Sequence, residues 1–294
     1  MAYDKVVDSA VLDGYFGDIA DAIRDKGGSG TYTPAEMPQA IENLPSGGTD
    51  ESLKAMIEGR ATGDVTLNLP ELARGVGFLL DYSYNGGLTS LTIAGCRELG
   101  ALGFSPMDQG GLIITNSMPH LEQIYLPDCE RLAIMKRSAY TPALTALKKF
   151  IAPKLRTLSI DQNPFQRCTK LEEVIMPCYG VTTSMLIGEK MFQACSALVT
   201  ADLGEAWQIN NNAFADCAVL TALVLRKSDR VCALSNTNAL TNTPIAGGTG
   251  YVYVPRALIS SYESATNWST YAGRFRALED YTDDGTLTGQ FIHP

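Results

Sequence analysis

The cysteines and histidines are the residues of this chain best suited to metal binding, disulfide formation or nucleophilic chemistry. The chain has seven cysteines and two histidines, His120 and His293. Zinc is not expected, because no Cys-x-x-Cys pair is present and the histidines lie far apart. A disulfide framework belongs mostly to short secreted chains. Five cysteines instead share the frame Cys-x-x-Leu, which favours small buried thiols stacked along a repeating structure: Cys96, Cys129, Cys168, Cys195 and Cys217.

Residues for catalysis or cofactor binding form no recognisable pattern. His120 precedes Leu121 in a repeating frame, so we expect it to pack at a turn rather than to act in a triad. The glycine clusters at residues 27–30 and 247–250 lack the surrounding strand, helix and Gly-Lys-Ser or Gly-Lys-Thr end of a phosphate-binding loop. Spacing yields no calcium loop and no carboxylate pair for glycoside hydrolysis. We therefore expect no enzyme, no cofactor and no metal site.

Charge is distributed unevenly along the 294 residues, whose net charge is −9. Residues 1–50 hold three basic and nine acidic side chains, whereas residues 131–170 hold nine basic side chains against Asp161 alone. An acidic first segment and a basic middle favour contacts with other macromolecules. The apolar fraction of 45% is normal for a folded globular chain.

Three stretches repeat one pattern, Ile-x4-Phe-x2-Cys-x2-Leu. A unit that recurs every 20–50 residues is typical of a solenoid, in which each coil buries its apolar side against its neighbours. The pattern therefore predicts Phe, Cys and Leu columns that run through the coils. Its members are Ile160, Phe165, Cys168 and Leu171; Ile187, Phe192, Cys195 and Leu198; and Ile209, Phe214, Cys217 and Leu220.

Each coil should contribute one short strand to a parallel sheet along one side of the solenoid. A leucine followed by alternating apolar residues marks the start of each strand, at intervals of 22 to 33 residues. The Ile and Phe positions should fill the interior on the return path. The predicted starts are Leu88, Leu121, Leu147, Leu171, Leu198 and Leu220.

The two ends differ from the repeats. Residues 1–48 predict a helical hairpin with a glycine-rich joint, residues 49–250 the solenoid, and residues 251–294 a strand-helix cap with a polar tail. A further short helix is expected at residues 50–57. Neither a signal-peptide stretch nor a membrane span is present in the sequence, which predicts a chain made in the cytoplasm.

The repeat pattern, followed by strands that end in an apolar residue and proline, resembles the BspA-like class of bacterial leucine-rich repeats. Strand ends at Pro127, Pro153 and Pro177 carry this resemblance, as does the closing Tyr253-Val254-Pro255, and it covers about residues 50–280. The first 45 residues contain Ile19-Ala-Asp-Ala-Ile-Arg24 and Thr33-Pro-Ala-Glu-Met-Pro38, and through these they resemble a short module at the start of phage and prophage tail proteins. Together the resemblances imply an α/β leucine-rich-repeat solenoid that serves in adhesion or recognition.

Alternation along the strands predicts two outward-facing columns. These columns form a candidate binding face, with an apolar stripe of the kind that marks interaction sites. Two alternatives remain open: a loop or a second subunit covers the stripe, or the register is shifted by one residue. The predicted face comprises Tyr125, Lys149, Ile151, Glu173, Ile175, Thr200, Asp202 and Val224, with Ser90, Thr92, Gln123 and Ala222 in the same columns.

The basic residues of the middle segment span about two coils and form a second candidate site. They fit an anionic envelope polymer or the acidic first segment of a second copy, while sparse aromatic residues make nucleic acid an unlikely partner. The alternative is an ordinary charged surface. Besides Lys149, the cluster comprises Arg131, Lys136, Arg137, Lys148, Lys154, Arg156, Arg167 and Lys170.

These features predict a non-enzymatic recognition or structural protein. The favoured role is a phage- or prophage-associated tail or adhesin-like component that binds a bacterial or host surface, reached after cell lysis. The alternative is a bacterial surface antigen that mediates adhesion to host or matrix. Expected partners are a protein or a surface glycan or polyanion, and homo-oligomers are expected through the N-terminal helices.

Overall fold

The computed structural model describes residues 51–58, 60–69, 72–73, 77–80, 86–99, 111–114, 118–136, 144–161, 163, 165–177 and 186–280. The chain divides into two compact units, residues 1–54 and 55–294, and all repeats lie in the second. The predicted helical hairpin, its glycine-rich joint and the polar tail fall outside the described residues. The domain boundaries at residues 48 and 250 therefore stay predictions. In the described ranges, no helix has the length and apolar character that crossing a bilayer requires.

The main sheet has nine parallel strands and runs along one side of the solenoid. The six predicted starting leucines precede or open its strands, so the predicted strands and their parallel pairing are confirmed. The sheet also includes one strand before the predicted set and two after it. In order across the sheet, its strands are β1 (Thr62–Asn68), β4 (Gly87–Ala94), β7 (Gln123–Tyr125), β9 (Lys149–Ile151), β11 (Glu173–Ile175), β13 (Thr200–Asp202), β15 (Ala222–Val224), β17 (Tyr251–Val254) and β18 (Phe275–Ala277).

Two further parallel sheets form on the return paths of the coils. One has the order β2-β5-β8-β6-β3 with β10 paired to β8, and the other has the order β12-β14-β16. The motif isoleucines lie on these return strands, and Ile187 and Ile209 are fully buried. The strands are β2 (Leu72–Ala73), β3 (Gly77–Leu80), β5 (Glu98–Leu99), β6 (Gly111–Ile114), β8 (Arg131–Lys136), β10 (Thr157–Asp161), β12 (Leu186–Ile187), β14 (Gln208–Ile209) and β16 (Ala233–Leu234).

A column of phenylalanine rings fills the interior between the main sheet and the return paths. Phe165 and Phe192 stack with ring centroids 5.4 Å apart, and Phe192 and Phe214 stack at 5.2 Å. Phe150, from the main sheet, meets Phe165 edge to face at 4.8 Å. All four rings have 0% exposure. The predicted internal Phe column is confirmed.

Backbone and thiol hydrogen bonds tie each return path to the next. The residue before each motif cysteine is left-handed, with φ of +63° at Arg167, +61° at Ala194 and +65° at Asp216. Side chains rarely adopt this conformation, so neighbouring contacts must hold it. Accordingly, the Ala194 N–H donates to the Ala215 carbonyl in the following coil at 2.8 Å. The Cys195 thiol donates to the Phe165 carbonyl in the preceding coil at 3.1 Å.

The cysteines occupy two columns rather than one, which corrects the prediction from the shared Cys-x-x-Leu frame. Cys168, Cys195 and Cys217 precede strands of the main sheet. Cys96 and Cys129 instead follow main-sheet strands and precede β5 and β8, and their thiols donate to the carbonyls of Glu98 and Arg131 at 3.3 and 3.2 Å. The frame is shared because Leu99 and Leu132 also start strands, but in a different sheet. All five are buried and form no disulfide, and the same holds for Cys232.

A degenerate further copy of the motif follows Leu234 and was not predicted. The Phe214 N–H donates to the Ala239 carbonyl in the way that the Phe192 N–H donates to the Ala213 carbonyl. Leu240 therefore occupies the phenylalanine position and Thr243 the cysteine position. The buried Thr243 hydroxyl donates to the Leu240 carbonyl at 2.7 Å. The copy lies in a 3-10 helix (Thr237–Leu240) followed by helix α2 (Pro244–Gly247).

The end of the solenoid is closed by a strand-helix cap, as predicted. After β17 come a 3-10 turn (Arg256–Leu258), helix α3 (Ile259–Ser264), a second 3-10 helix (Trp268–Tyr271), β18 and a last 3-10 turn (Leu278–Asp280). Trp268 and Tyr262 are buried edge to face, and the Trp268 indole donates to the Cys232 carbonyl at 2.6 Å. The predicted helix before the repeats is present as α1 (Glu51–Ile57).

Candidate interaction surface

The outward side of the main sheet carries two continuous side-chain ladders in the predicted register. We name them the first and second ladders, and each extends beyond the predicted columns at both ends. The first ladder is Asp64, Ser90, Gln123, Lys149, Glu173, Thr200, Ala222 and Tyr251. The second is Thr66, Thr92, Tyr125, Ile151, Ile175, Asp202, Val224, Tyr253 and Arg276.

Exposure falls along the second ladder from its first strand to its last coils. Thr66 is exposed and Tyr125 is partly exposed, but Ile175 is 3% exposed and Val224 is 0% exposed. The predicted apolar stripe is therefore not available to a partner over its second half. Val224, Ala222 and Tyr253 form a buried cluster against Tyr251 and Leu278. At this end the chain's own C-terminal segment covers the face, which is one of the alternatives that the sequence left open.

Asp202, predicted as part of the binding face, is committed to contacts within the solenoid. Its side chain is 8% exposed and accepts hydrogen bonds from the Arg226 guanidinium at 2.8 and 2.9 Å and from the Gly204 N–H at 3.0 Å. Gly204 has φ of +50°, and a Cβ there would overlap the Pro177 carbonyl of the preceding coil. This corner fixes the turn between coils rather than presenting a free carboxylate.

The first half of the two ladders remains accessible apart from the predicted residue Ile151, which is 9% exposed. Lys149 and Glu173 lie side by side there and form an ion pair at 3.2 Å. The Tyr125 ring, on a neighbouring strand, is the aromatic side chain of this area, and the remaining members are uncharged polar residues. We call this area the open face; it consists of Ser90, Thr92, Gln123, Tyr125, Lys149, Glu173 and Thr200.

Part of the predicted basic cluster is paired with acidic residues from adjacent coils. Lys148 pairs with Glu122 at 2.8 Å, and Lys154 pairs with Asp128 at 2.7 Å. The hydrogen bond from Lys154 lowers the pKa of Asp128, and the bond to Glu122 raises the pKa of Lys148. Counting charges along residues 131–170 did not include Glu122 and Asp128, because both belong to the preceding coil in sequence. Stacking of the coils places them beside the lysines.

The other members of the cluster differ in their partners. Arg156 lies 3.6 Å from the Glu130 carboxylate, which also neighbours Arg97 at 3.5 Å. Arg131, Arg167 and Lys170 are exposed. Lys136 ends β8, while its side chain and Arg137 fall outside the described residues. The ion pairs reduce the net positive charge of the cluster, and the basic patch stays a prediction.

Other potentially functional residues lie apart from the open face. His120 is exposed at a bend, contrary to the expected packing. In the part of the chain that the structure describes, no group of three acidic, cysteine or histidine side chains could hold a metal ion. Sequence reasoning missed two exposed valines on neighbouring coils, Val199 and Val219, each 41% exposed. Their signal was present, since each lies next to a strand-starting leucine.

The fold and these surfaces define a leucine-rich-repeat solenoid of parallel strands. Residues 116–245 match the model of the BspA type leucine-rich repeat region in six copies. Such repeats as a class present extended surfaces for protein binding. The leucine-rich repeat domain of the type III effector XopL is also similar, at 16% identity and a TM-score of 0.27, covering 88% of this chain and 100% of that one. Comparison with curated proteins finds no match.

Proposed function

We propose that this protein is a non-enzymatic recognition protein whose open face binds a partner protein or a surface glycan. The observation that carries the proposal is the exposure of adjacent polar side chains and Tyr125 on a continuous parallel sheet. Strands and buried rings fix the backbone beneath this surface, so binding would order few additional groups. Tyrosine is also a residue type enriched at interface hot spots.

The finer role that we propose is a phage- or prophage-associated tail or adhesin-like component. The resemblance of the first 45 residues to tail-protein modules supports attachment of the chain to an assembly, with the solenoid directed at a bacterial or host surface. The alternative is a bacterial surface antigen that adheres to host or matrix proteins. Purified protein applied to bacterial cells and to host matrix proteins separates the two roles, because each predicts binding to a different set.

The open face is tested by the substitution Tyr125→Arg. We expect the affinity for any partner found in such a screen, or on a glycan and cell-wall array, to fall about tenfold or more, because an interface anchor is replaced by a charge. Leu186→Arg is the matched control, since Leu186 is 48% exposed on a return strand. Equal binding by the wild type and Tyr125→Arg would remove the open face as the binding site.

A further inference from the structure

The two edge strands of the main sheet, β1 and β18, differ in length and in the side-chain contacts to their backbone. At the last edge, β18 has only three residues. The Arg276 guanidinium donates to the carbonyls of Phe275 at 2.8 Å and Gly273 at 3.2 Å. A short strand with a charged side chain over its backbone is a common protection against further strand pairing.

The first edge is formed by a longer strand. β1 has seven residues and, among the described residues, is hydrogen-bonded on one side only, to β4. The Leu69 N–H donates to the Ala94 carbonyl at 3.0 Å. Backbone groups alternate between the two sides of a strand. Those of Val65 and Leu67 therefore point to β4, whereas those of Asp64, Thr66 and Asn68 point to the free edge.

We propose that β1 pairs in antiparallel orientation with β1 of a second copy of this chain, forming a dimer. With Val65 on the two-fold axis, Asp64 lies opposite Thr66 of the second copy, and this pair forms twice about the axis. Both residues have backbone groups that point to the free edge, as a hydrogen-bonded antiparallel pair requires. Gly63, with φ of +69°, interrupts the extended backbone before Asp64, so the regular pairing runs from Asp64 onward. A shift by one residue would lose this match.

The side chains of β1 fit the same register. Val65 and Leu67 are buried on the inner side of the sheet, and the pairing places inner residues opposite inner residues. On the outer side, the Asp64 carboxylate meets a threonine hydroxyl of the second copy. The Thr89 hydroxyl already donates to Asp64 in this way within the sheet, at 2.7 Å. Asp64 is the only charged residue of β1, so no like charges lie directly opposite each other.

The arrangement closes after two copies. Both copies use the same edge, which is an isologous contact. Growth beyond two copies would require strand pairing at the β18 edge, and the Arg276 contacts oppose that. The dimer would join two open faces into one surface, so that weak contacts to a repetitive ligand act together.

The test is sedimentation of the full chain over a dilution series, comparing the wild type with Thr66→Pro. We expect the wild type to reach twice the 31.6 kDa of the chain at high concentration. Thr66→Pro should remain monomeric, because proline removes an N–H directed at the free edge. Thr66→Val keeps that N–H and should dimerise like the wild type. A wild type that is monomeric throughout, or a folded Thr66→Pro variant that still dimerises, overturns the proposal.

A second test leaves the backbone intact and reads the register. Mixed under mild oxidation, Asp64→Cys and Thr66→Cys proteins should form a disulfide-linked heterodimer. Neither variant alone should link, because its identical residues are diagonal neighbours about 7–8 Å apart. Absence of the mixed product, or equal linking of each variant alone, contradicts this pairing.

Discussion

At the scale of single residues, the stacked phenylalanines and the thiols beside them hold neighbouring coils together. Phe192 lies between Phe165 and Phe214, and all three are fully buried. The Cys217 thiol donates to the Phe192 carbonyl at 3.1 Å, so that a single position contributes both a ring contact and a hydrogen-bond acceptor. Each coil is thus fixed to two others through one residue.

Replacing Phe192 by alanine should lower the free energy of unfolding by about 3–5 kcal/mol, because a cavity opens between two rings. Urea denaturation followed by far-UV circular dichroism measures the change. Val199→Ala is the control. Val199 directly precedes β13 and is 41% exposed, so its truncation should change the free energy of unfolding by less than about 0.5 kcal/mol. Similar midpoints for the two variants would contradict the internal Phe column.

The Cys217 thiol should make stability fall at alkaline pH. Burial raises its pKa from 9.0 to about 12. The thiol therefore stays protonated in the folded state above pH 9 but ionises in the unfolded state, so its stabilising contribution is lost progressively between about pH 9 and 12. From about pH 9 to 10 this thiol should account for a loss of about 1 kcal/mol.

The check is the urea midpoint of wild type and Cys217→Ala, each measured across this pH range. The variant should be less stable at pH 7 but should lose stability less steeply above pH 9, because other ionising groups are shared by both proteins. Parallel slopes would show that the thiol is exposed to solvent or ionised in the folded state.

At the scale of elements, the buried ion pair between Asp202 and Arg226 stabilises the turn after β13, whereas exposed ion pairs on the coils contribute little. Asp202→Ala should cost about 1–3 kcal/mol, because Arg226 and the Gly204 N–H lose their acceptor in a buried corner. Glu122→Ala, which removes the exposed partner of Lys148, should cost less than about 0.5 kcal/mol. Thermal melting of the two variants measures both. An Asp202→Ala variant as stable as Glu122→Ala would return Asp202 to the candidate binding residues.

Strands of the main sheet were predictable because their alternation is local: a starting leucine and the two apolar residues after it point inward in every coil. The strands of the second sheet, such as β2, β3 and β6, could not be predicted in this way, because the repeats before Leu121 are degenerate. Leu240 and Thr243 escaped detection for a related reason, since neither matches the aromatic and thiol side chains that define the motif. Only the hydrogen bonds between coils identify Leu240 and Thr243 as members of the repeat.

At the scale of the whole molecule, the surface was harder to predict than the interior. The outward register followed from strand alternation, but the burial of Val224 depends on Leu278, more than fifty residues further along the chain. The ion pairs within the basic cluster were missed for the same reason, because Glu122 and Asp128 reach it only through stacking. The inward or outward direction of a side chain could be predicted from its own coil. Its exposure and the net charge around it depend on the neighbouring coils.

The hydrogen bond from the Phe192 N–H to the Ala213 carbonyl is repeated from the Phe214 N–H to the Ala239 carbonyl, so successive coils meet through the same backbone contact. Duplication or deletion of a whole coil by recombination between similar gene segments would keep this contact at both junctions. Such chains can therefore vary in length in steps of one coil while the aromatic terminus around Trp268 is inherited intact. The length of the binding surface would then evolve through the number of coils rather than through changes to a pocket.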